Sequence, residues 1–183
     1  MVSEVSIRRA QINDEDALAL VGQATFLETF SSVLDGRAII EHCRRAHSAS
    51  QYRHWLGDPD AAIWLAEASP GHSPVGYIVV ARPELPMADA QRDLEIKRIY
   101  LLGRYHGGGV GKRLLSQAIG HAKLAGAARL LLGVYAGNAS AIGFYRQQGF
   151  IDLTRRQFNV GGRDYDDQVM SLALAGRFDH LVD

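Results

Sequence analysis

The spacing of hydrophobic and polar residues changes along the chain between the period of a strand and that of a helix. Residues 5–10 show the short alternation of a strand. Acidic residues within 13–16 then suit the first turn of a helix, and the apolar spacing that follows predicts this helix to about Phe30. A second helix is predicted over residues 36–56, where the apolar pattern is irregular, before the turn residues at 57–59.

Strand patterns dominate the middle of the chain. Residues 61–68 and 74–82 are apolar runs joined by turn-forming residues, and 93–102 is predicted to be a further strand. Its first half presents one apolar face, but from Ile99 to Leu101 the apolar residues fall on both faces. A one-residue bulge and burial of the strand on both faces near its end explain this change of phase equally well.

Helix and strand alternate in the next part of the chain. A glycine-rich turn at 107–111 opens a helix that runs to about Gly126, and a buried strand is predicted at 129–135. Asn138 suits the N-terminal cap of a short helix, and Gly149 suits its C-terminal end.

A hairpin completes the pattern, with strands predicted at 151–160 and 163–174 around two consecutive glycines. The order of elements predicts a single α/β domain over residues 1–183, built on a sheet with both parallel and antiparallel pairs. The tail at 175–183 is expected to be either ordered or frayed.

Composition and charge exclude several classes of function. The 183 residues contain 20 Lys and Arg against 20 Asp and Glu, so the chain lacks the basic excess of nucleic-acid-binding proteins. Cys43 is the only cysteine, which excludes an intramolecular disulfide and a zinc site made of several thiolates. The seven histidines include no pair at the four-residue spacing of helical metal ligands, so we expect ordinary surface histidines and no metal.

Membrane segments are not expected either. No apolar run approaches the ~20 residues that a bilayer-spanning helix needs, and the first residues lack the layout of a signal peptide. These observations predict a cytoplasmic protein that binds neither membrane nor nucleic acid.

Four glycines within residues 107–111 lie where a predicted strand leads into a helix. Glycine lets consecutive backbone N–H groups turn toward one point, and a helix N-terminus adds about half a positive charge. This arrangement predicts a phosphate or pyrophosphate site, with Lys112 and Arg113 adding charge at its rim. A tight turn that needs glycine only for its positive φ is the alternative.

Two nucleotide-binding motifs fail at specific positions. A P-loop would need glycine at position 106 and Ser or Thr at position 113, where the chain has His106 and Arg113. A dinucleotide-binding turn that starts at Gly107 would need its third glycine at Lys112. A nucleotide-binding module is therefore a weaker alternative.

The segment His106-Gly107-Gly108-Gly109-Val110-Gly111 resembles the acyl-CoA loop of the GNAT superfamily of N-acetyltransferases, Arg/Gln-x-x-Gly-x-Gly/Ala. His106 departs from the first position of that pattern, where the side chain matters less than the backbone amides. Residues 138–150 resemble the family's Asn-x-x-Ala-x-x-Phe-Tyr…Gly-Phe segment, and 94–101 resemble its bulged fourth strand. The three motifs occur in the family's order within residues 75–170.

This resemblance implies an α/β, GNAT-like fold: a mixed, mainly antiparallel sheet of about six to seven strands, flanked by about four helices, with a V-shaped split at the bulged fourth strand. It also implies transfer of acetyl from acetyl-CoA to a primary amine by direct attack, with a small amine or polyamine favoured. Residues 24–30 resemble, more loosely, a branch that includes spermidine/spermine acetyltransferases. A protein or peptide amine as acceptor, or a non-catalytic acyl-CoA sensor, are the alternatives, and a homodimer is left open.

The resemblance places the catalytic groups at Glu95 and Tyr145. Glu95 matches the strand glutamate that serves some members as general base, directly or through water. Pairing of a partly exposed Glu95 with Lys97 or Arg98 is the alternative, and Asp93 is a lesser rival for the base. Tyr145 matches the family's helix tyrosine, which protonates the departing thiolate, with simple packing against the sheet as the alternative.

Coenzyme binding is expected from three stretches. The strand backbone should pair with the pantetheine arm, the glycine loop should hold the pyrophosphate, and Asn138 should bond the arm as well as cap its helix. The expected coenzyme-binding residues are Ile99, Tyr100, Leu101, His106, Gly107, Gly108, Gly109, Val110, Gly111, Lys112, Asn138 and Tyr145. The candidates for the acceptor pocket are Phe26, Glu28, Phe30, Tyr77, Asp93, Asp164 and Tyr165.

Overall fold

Seven strands form one sheet, in which the fourth strand joins the two halves of the chain. The computed structural model describes residues 4–174, so the predicted tail at 175–183 lies outside the described residues. The strands are β1 (Val5–Arg9), β2 (Ala62–Ala68), β3 (Ser73–Ala81), β4 (Asp93–Leu101), β5 (Arg129–Tyr135), β6 (Ile151–Val160) and β7 (Arg163–Ala173). Their order is β1-β2-β3-β4-β5-β7-β6. Among the strands of residues 4–174, only β4 and β5 pair in parallel, which confirms a mixed, mainly antiparallel sheet.

Helices cover both faces of the sheet. They are α1 (Glu15–Phe30), α2 (Gly36–Ala46), α3 (Ala49–Gly57), α4 (Val110–Leu124) and α5 (Ala139–Gln147). On one face, α1 and α3 bury residues such as Leu18 and Tyr52 against Leu65 of β2. On the other face, α4 buries Leu114 with alternate strand residues such as Ile78. Residues of opposite parity along each strand therefore feed two separate cores.

The single helix predicted over residues 36–56 is wrong, because the chain breaks it at His47 and Ser48 into α2 and α3. Ser48 has an extended backbone, and its hydroxyl accepts a hydrogen bond from the Gln51 N–H at 3.2 Å, which caps α3. His47 is 1% exposed. The break turns this side chain into the protein, and the irregular apolar pattern of the segment is its only sign in the sequence.

One extra residue in β4 changes the phase of that strand. Val79 of β3 faces Arg98, but the next residue, Val80, faces Ile96. Lys97 is therefore the bulged residue, with two residues of β4 opposing one of β3. Of the two explanations for the imperfect alternation, the bulge is confirmed.

The sheet splits immediately after the bulge. β4 pairs with β5 only through residues 93–96, opposite 129–132. Beyond that point β4 continues along β3, while residues 133–135 of β5 continue along β7. The two strands thus separate into the V-shaped split that the resemblance predicted, with the bulge at its base.

The contact between α1 and α3 generates a stability prediction. A Cβ on Gly22 of α1 would meet the Tyr52 hydroxyl and lie 2.7 Å from His47 Nδ1. We therefore expect Gly22→Ala to lower the free energy of unfolding by about 1–3 kcal/mol, measured by urea denaturation. Gly120→Ala in α4 is the matched control, because a Cβ there meets nothing within 4 Å. It should raise stability by about 0.5–1 kcal/mol, and equal effects of the two changes would contradict the prediction.

Candidate active site

A cavity of about 310 Å³ lies beside the split, between β4 and the helices α1 to α3. It is bordered by all three early helices and by strands from both arms of the split. The lining residues are Phe26, Phe30, Val33, Leu34, His42, His47, Trp55, Glu84, Glu95, Lys97, Arg98, Tyr100, Gly133, Tyr135, Arg156, Phe158, Val160, Tyr165 and Asp167.

The bulge decides which side chains of β4 reach this cavity. Alternate strand residues share a face, so Glu95 and Lys97 lie on one side of the sheet. In a regular strand, Arg98 and Tyr100 would lie on the other side. Because the bulge shifts the phase at Lys97, all four of these side chains line the cavity. Of these four residues, the sequence predicted a reactive side chain only for Glu95.

Glu95 is a buried, ion-paired carboxylate. Its side chain is held through one oxygen: Oε2 accepts hydrogen bonds from the Glu84 N–H at 2.7 Å and from Lys97 Nζ at 3.0 Å. The same Lys97 ammonium donates to Glu84 Oε2 at 2.8 Å. Pairing with Lys97, expected as an alternative to catalysis, is therefore present. Oε1 has no hydrogen-bond partner within residues 4–174.

Asp167 of β7 is a second buried carboxylate in the cavity, and sequence reasoning missed it. Arg156 Nη2 lies 3.2 Å from Asp167 Oδ2. Burial raises the pKa of Asp167, although the charge of Arg156 acts in the opposite direction. Gly133 of β5 leaves room for this pair, since a Cβ there would lie 3.0 Å from Arg156 Nη2. Nothing in the local sequence of β6 and β7 marks these residues, because only strand pairing brings them to the cavity.

Two histidines expected at the surface line the cavity instead, so that prediction is wrong for His42 and His47. His42 stacks on the ring of Phe26 at 4.4 Å. Burial, together with the positive charge of Arg98, lowers the pKa of His42 to about 4 and that of His47 to about 2. Both imidazoles are therefore neutral near neutral pH and contribute no charge to the cavity.

Phe26, Phe30 and Tyr165, predicted for the acceptor pocket, all line the cavity. Tyr100 lines it as well, and burial raises the pKa of its hydroxyl to about 12. The cavity thus combines aromatic walls with charged groups of both signs, as small-molecule sites commonly do.

Three other residues predicted for the acceptor pocket lie outside it. Tyr77 is fully buried behind Tyr100, and its hydroxyl accepts a hydrogen bond from Tyr52 at 2.7 Å. Glu28 is exposed on α1, where its carboxylate accepts the Gly103 N–H at 2.8 Å. Asp164 also lies apart, in a hydrogen bond from Asn159 at 2.8 Å.

Asp93, the lesser rival for the base, has a structural environment. It begins β4 at the closed end of the split, where Arg129 Nη2 lies 2.6 Å from its Oδ2. Burial acts to raise the pKa of Asp93, but the hydrogen bonds from Arg129 and from the Asp89 N–H outweigh it and hold the pKa below its usual value. Asp93 therefore joins β4 to β5 and does not reach the cavity.

The glycine loop lies at the open end of the split, at the N-terminus of α4. Gly107 and Gly109 have φ values of +76° and +78°, and Gly109 is the N-terminal cap of the helix. A Cβ on either would meet nothing within 4 Å, so backbone conformation and not space requires glycine there. His106 Nε2 lies 2.8 Å from the Leu101 carbonyl oxygen, which ties the loop to the end of β4.

The two cationic side chains predicted at the rim of this loop, Lys112 and Arg113, differ in their positions. Lys112 is exposed in the first turn of α4. Arg113 instead turns toward β1, where its Nη1 donates to the Val5 carbonyl at 2.9 Å. Only Lys112 is therefore placed to add charge beside the loop.

Backbone groups along one edge of β4 face the split. The Leu102 N–H donates to the Val75 carbonyl at 2.9 Å, toward β3. Since backbone groups alternate in direction along a strand, those of Tyr100 also point toward β3, and those of Ile99 and Leu101 point into the split. β5 does not pair with this part of β4. The split thus offers an open strand edge that leads to the glycine loop.

Helix α5 contributes the two remaining predicted residues. Asn138 Oδ1 accepts the Ala141 N–H at 3.1 Å, so its role as helix cap is confirmed. Tyr145 is 7% exposed and packs against Phe144 and Phe150, with ring centroids 5.4 and 5.8 Å away. Burial raises the pKa of Tyr145, with a smaller contribution from Tyr100. Its cluster is the core on the α4 side of the sheet, so Tyr145 and the cavity lie on opposite faces of the sheet.

The described residues contain neither a metal-binding cluster nor a membrane-spanning helix. Within 4–174, no group of three or more His, Cys, Asp or Glu could hold a metal ion. No helix in that range is long and apolar enough to cross a bilayer.

Comparison with known proteins gives a consistent picture. The model of the acetyltransferase (GNAT) family matches residues 27–150. An uncharacterized N-acetyltransferase from Mycobacterium tuberculosis is 31% identical over 159 residues, which cover 87% of this chain and 97% of that protein.

Solved structures with low sequence identity share the fold. The PaiA N-acetyltransferase from Thermoplasma acidophilum, solved in complex with coenzyme A, superposes with a TM-score of 0.75 at 22% identity, covering 93% of this chain and 99% of that one. A GCN5-related N-acetyltransferase from Rhodopseudomonas palustris superposes with a TM-score of 0.71 at 17% identity, covering 95% and 98%.

Proposed function

The chain belongs to the GNAT family of acetyltransferases, and we propose that it acetylates a small primary amine by direct attack on acetyl-CoA, with Glu95 as base and Tyr145 as acid. One observation carries this proposal: the split between β4 and β5 has an open strand edge and a glycine loop. A buried carboxylate lies on one face of the sheet and a buried tyrosine packs on the other.

The residues around the split fit coenzyme A. The backbone N–H and C=O of Ile99 and the N–H of Leu101 are free to extend the sheet by pairing with the pantetheine amides, whereas the Leu101 carbonyl oxygen lies 2.8 Å from His106 Nε2. The Ile99 N–H is proposed to polarise the thioester carbonyl. The amides of residues 107–112, at the N-terminus of α4, suit the pyrophosphate. Lys112 adds a positive charge beside them. When bound, acetyl-CoA supplies the activated acyl group.

Glu95 is placed to take the proton that the amine loses. An aliphatic ammonium has a pKa near ~10, so it must be deprotonated before it attacks. The two hydrogen bonds to Oε2 orient the Glu95 carboxylate and leave Oε1 to accept the proton, directly or through one water molecule. Lys97 Nζ lies 3.0 Å from Glu95 Oε2 and helps to hold the carboxylate in this orientation.

Tyr145 is placed to donate to the leaving sulfur. Its raised pKa keeps the hydroxyl protonated at neutral pH. A thiol ordinarily ionises near ~8.5, more readily than this hydroxyl, so a strong hydrogen bond to the forming thiolate precedes any complete proton transfer. Asn138 lies at the start of the same helix and is proposed to bond the pantetheine arm through its amide N–H₂, since its Oδ1 caps the helix.

The dimensions of the cavity favour a small acceptor. Its volume of about 310 Å³ lies at the lower end of the range for small-molecule sites. Aromatic side chains on α1, β4 and β7 line it. A small amine therefore fits better than a protein or peptide amine. The loose resemblance of residues 24–30 to spermidine/spermine acetyltransferases adds polyamines to the acceptors to be tested.

A panel of amines, read out by release of free coenzyme A thiol, tests the proposed reaction. We expect thiol release that depends on both acetyl-CoA and a small amine. Release with peptide amines alone would shift the function to the protein-acetyltransferase alternative. Binding of acetyl-CoA without release in any reaction would support a non-catalytic sensor.

We predict that Gly109→Glu abolishes binding of coenzyme A, because a carboxylate at this position would repel the pyrophosphate. Gly109→Ala is the matched control, since it carries the same backbone strain at positive φ but no charge. Titration calorimetry should show an affinity for the Glu variant at least about 10-fold below that of the Ala variant. Equal affinities for the two variants would contradict the pyrophosphate site.

We predict that Glu95→Gln lowers kcat by about 100- to 10,000-fold near neutral pH, because the proton acceptor is lost. The rate of this variant should recover as pH rises, since more of the amine is then already the free base. The pH–rate profile measures both effects. Glu84→Gln removes the other carboxylate that binds Lys97 and should lower kcat less than Glu95→Gln does. If Asp167→Asn shows the large loss and Glu95→Gln does not, the base is Asp167.

We predict that Tyr145→Phe lowers kcat by about 10- to 100-fold with little change in the dissociation constant of coenzyme A, because only the donor to the leaving sulfur is removed. Steady-state kinetics and calorimetry on the same preparation separate the two quantities. An unchanged kcat would assign Tyr145 to packing alone.

A further inference from the structure

Arg98 brings a positive charge to the cavity without a carboxylate partner. Three cationic side chains line the cavity. Lys97 is paired with Glu84 and Glu95, and Arg156 is paired with Asp167. Within residues 4–174, no Asp or Glu forms an ion pair with Arg98.

Neutral groups hold the Arg98 guanidinium in place. Nη1 donates to the Tyr52 hydroxyl at 2.9 Å and lies 3.3 Å from His47 Nδ1. The guanidinium also lies 5.3 Å from the ring centre of Tyr52 and 4.8 Å from that of Trp55. These contacts fix the side chain but leave its charge uncompensated, and its Nε and Nη2 form no hydrogen bond with the described residues.

The cavity lining therefore carries unbalanced charges of both signs. Glu84 and Glu95 share the single ammonium of Lys97, which leaves one excess negative charge on these three side chains. Arg98 adds one excess positive charge to the same lining. A charge that is removed from water and unpaired is costly, and the same low polarity strengthens its attraction for an opposite charge.

We propose that Arg98 binds an anionic group of the acceptor, so that the acceptor is a small zwitterionic amine such as an amino acid. This inference rests on the proposed acetyltransferase function. The guanidinium presents its remaining N–H groups as a planar fork that matches a carboxylate. The ammonium of the same molecule would then face Glu95, which accepts its proton. A polyamine would instead place additional positive charge near Arg98, which disfavours it.

Matched pairs of acceptors test this proposal. Phenylalanine, methionine and lysine are each compared with the amine obtained by removing the α-carboxyl group. For at least one pair we expect kcat/KM of the wild-type enzyme to be about 10- to 100-fold higher for the amino acid, the range of one charge-assisted bidentate contact. Arg98→Gln should remove this preference by lowering kcat/KM for the amino acid much more than kcat/KM for the amine.

Two further variants separate charge from structure. Arg98→Lys keeps the charge but loses the fork and should retain part of the preference. Arg44→Gln makes the same chemical change as Arg98→Gln, but at an exposed position of α2 outside the cavity. It should leave kcat/KM unchanged for both the amino acid and the amine. Melting temperatures of all variants identify losses that come from unfolding, since Tyr52 keeps its bonds to Tyr77 and His47 when Arg98 is replaced.

The outcomes of this experiment are distinct from those that test the reaction itself. The anion site is refuted if the wild-type enzyme prefers the decarboxylated amine in every pair. It is also refuted if Arg98→Gln lowers kcat/KM equally for both members of a pair. If no amine causes release of coenzyme A from acetyl-CoA, the proposed function fails. Calorimetric titration of the amino acids into the coenzyme A complex then tests the anion site by itself. Binding that Arg98→Gln abolishes supports the site, and absence of binding refutes it.

Discussion

The bulge at Lys97 is the constraint on which the rest of the site depends. One extra residue in β4 reverses the direction of every following side chain and turns Arg98 and Tyr100 toward the cavity that Glu95 already borders. The same irregularity marks the end of pairing between β4 and β5. The local distortion thus creates both a charged face and an unpaired strand edge, as bulges beside functional sites often do.

Burial then determines the chemical state of the groups that the bulge brings together. The carboxylates that line the cavity form ion pairs with cationic side chains: Glu95 with Lys97, and Asp167 with Arg156. His42 and His47 are kept neutral by burial and by the charge of Arg98. Arg98 is the exception to this pairing within the described residues, and it therefore indicates what a ligand should supply.

The proposed reaction uses the two faces of the sheet differently. The proposed acceptor site is the cavity bordered by α1 to α3 and by the face of β4 that carries Glu95. The proposed coenzyme site comprises the glycine loop, α4 and α5, with Tyr145 in the core on that face. The open edge of β4 lies between them. In this proposal the amine and the thioester approach from different directions, held in orientation by the protein.

The sequence by itself determined most of the elements and the proposed coenzyme half of the site, because turn glycines, caps and apolar periods act over a few neighbouring residues. The strand at 129–135, the cap at Asn138 and the loop at 107–111 were all predictable in this way. For the proposed acceptor half, the sequence indicated Glu95, Phe26, Phe30 and Tyr165, and only the tertiary structure added the other charged groups. Arg156 and Asp167 reach the cavity through strand pairing, and the bulge sends Arg98 there, so no local pattern marks them. Long-range contacts also bury His47, which splits the predicted second helix. Side chains that meet across distant segments are specified by packing, which a local sequence pattern does not record.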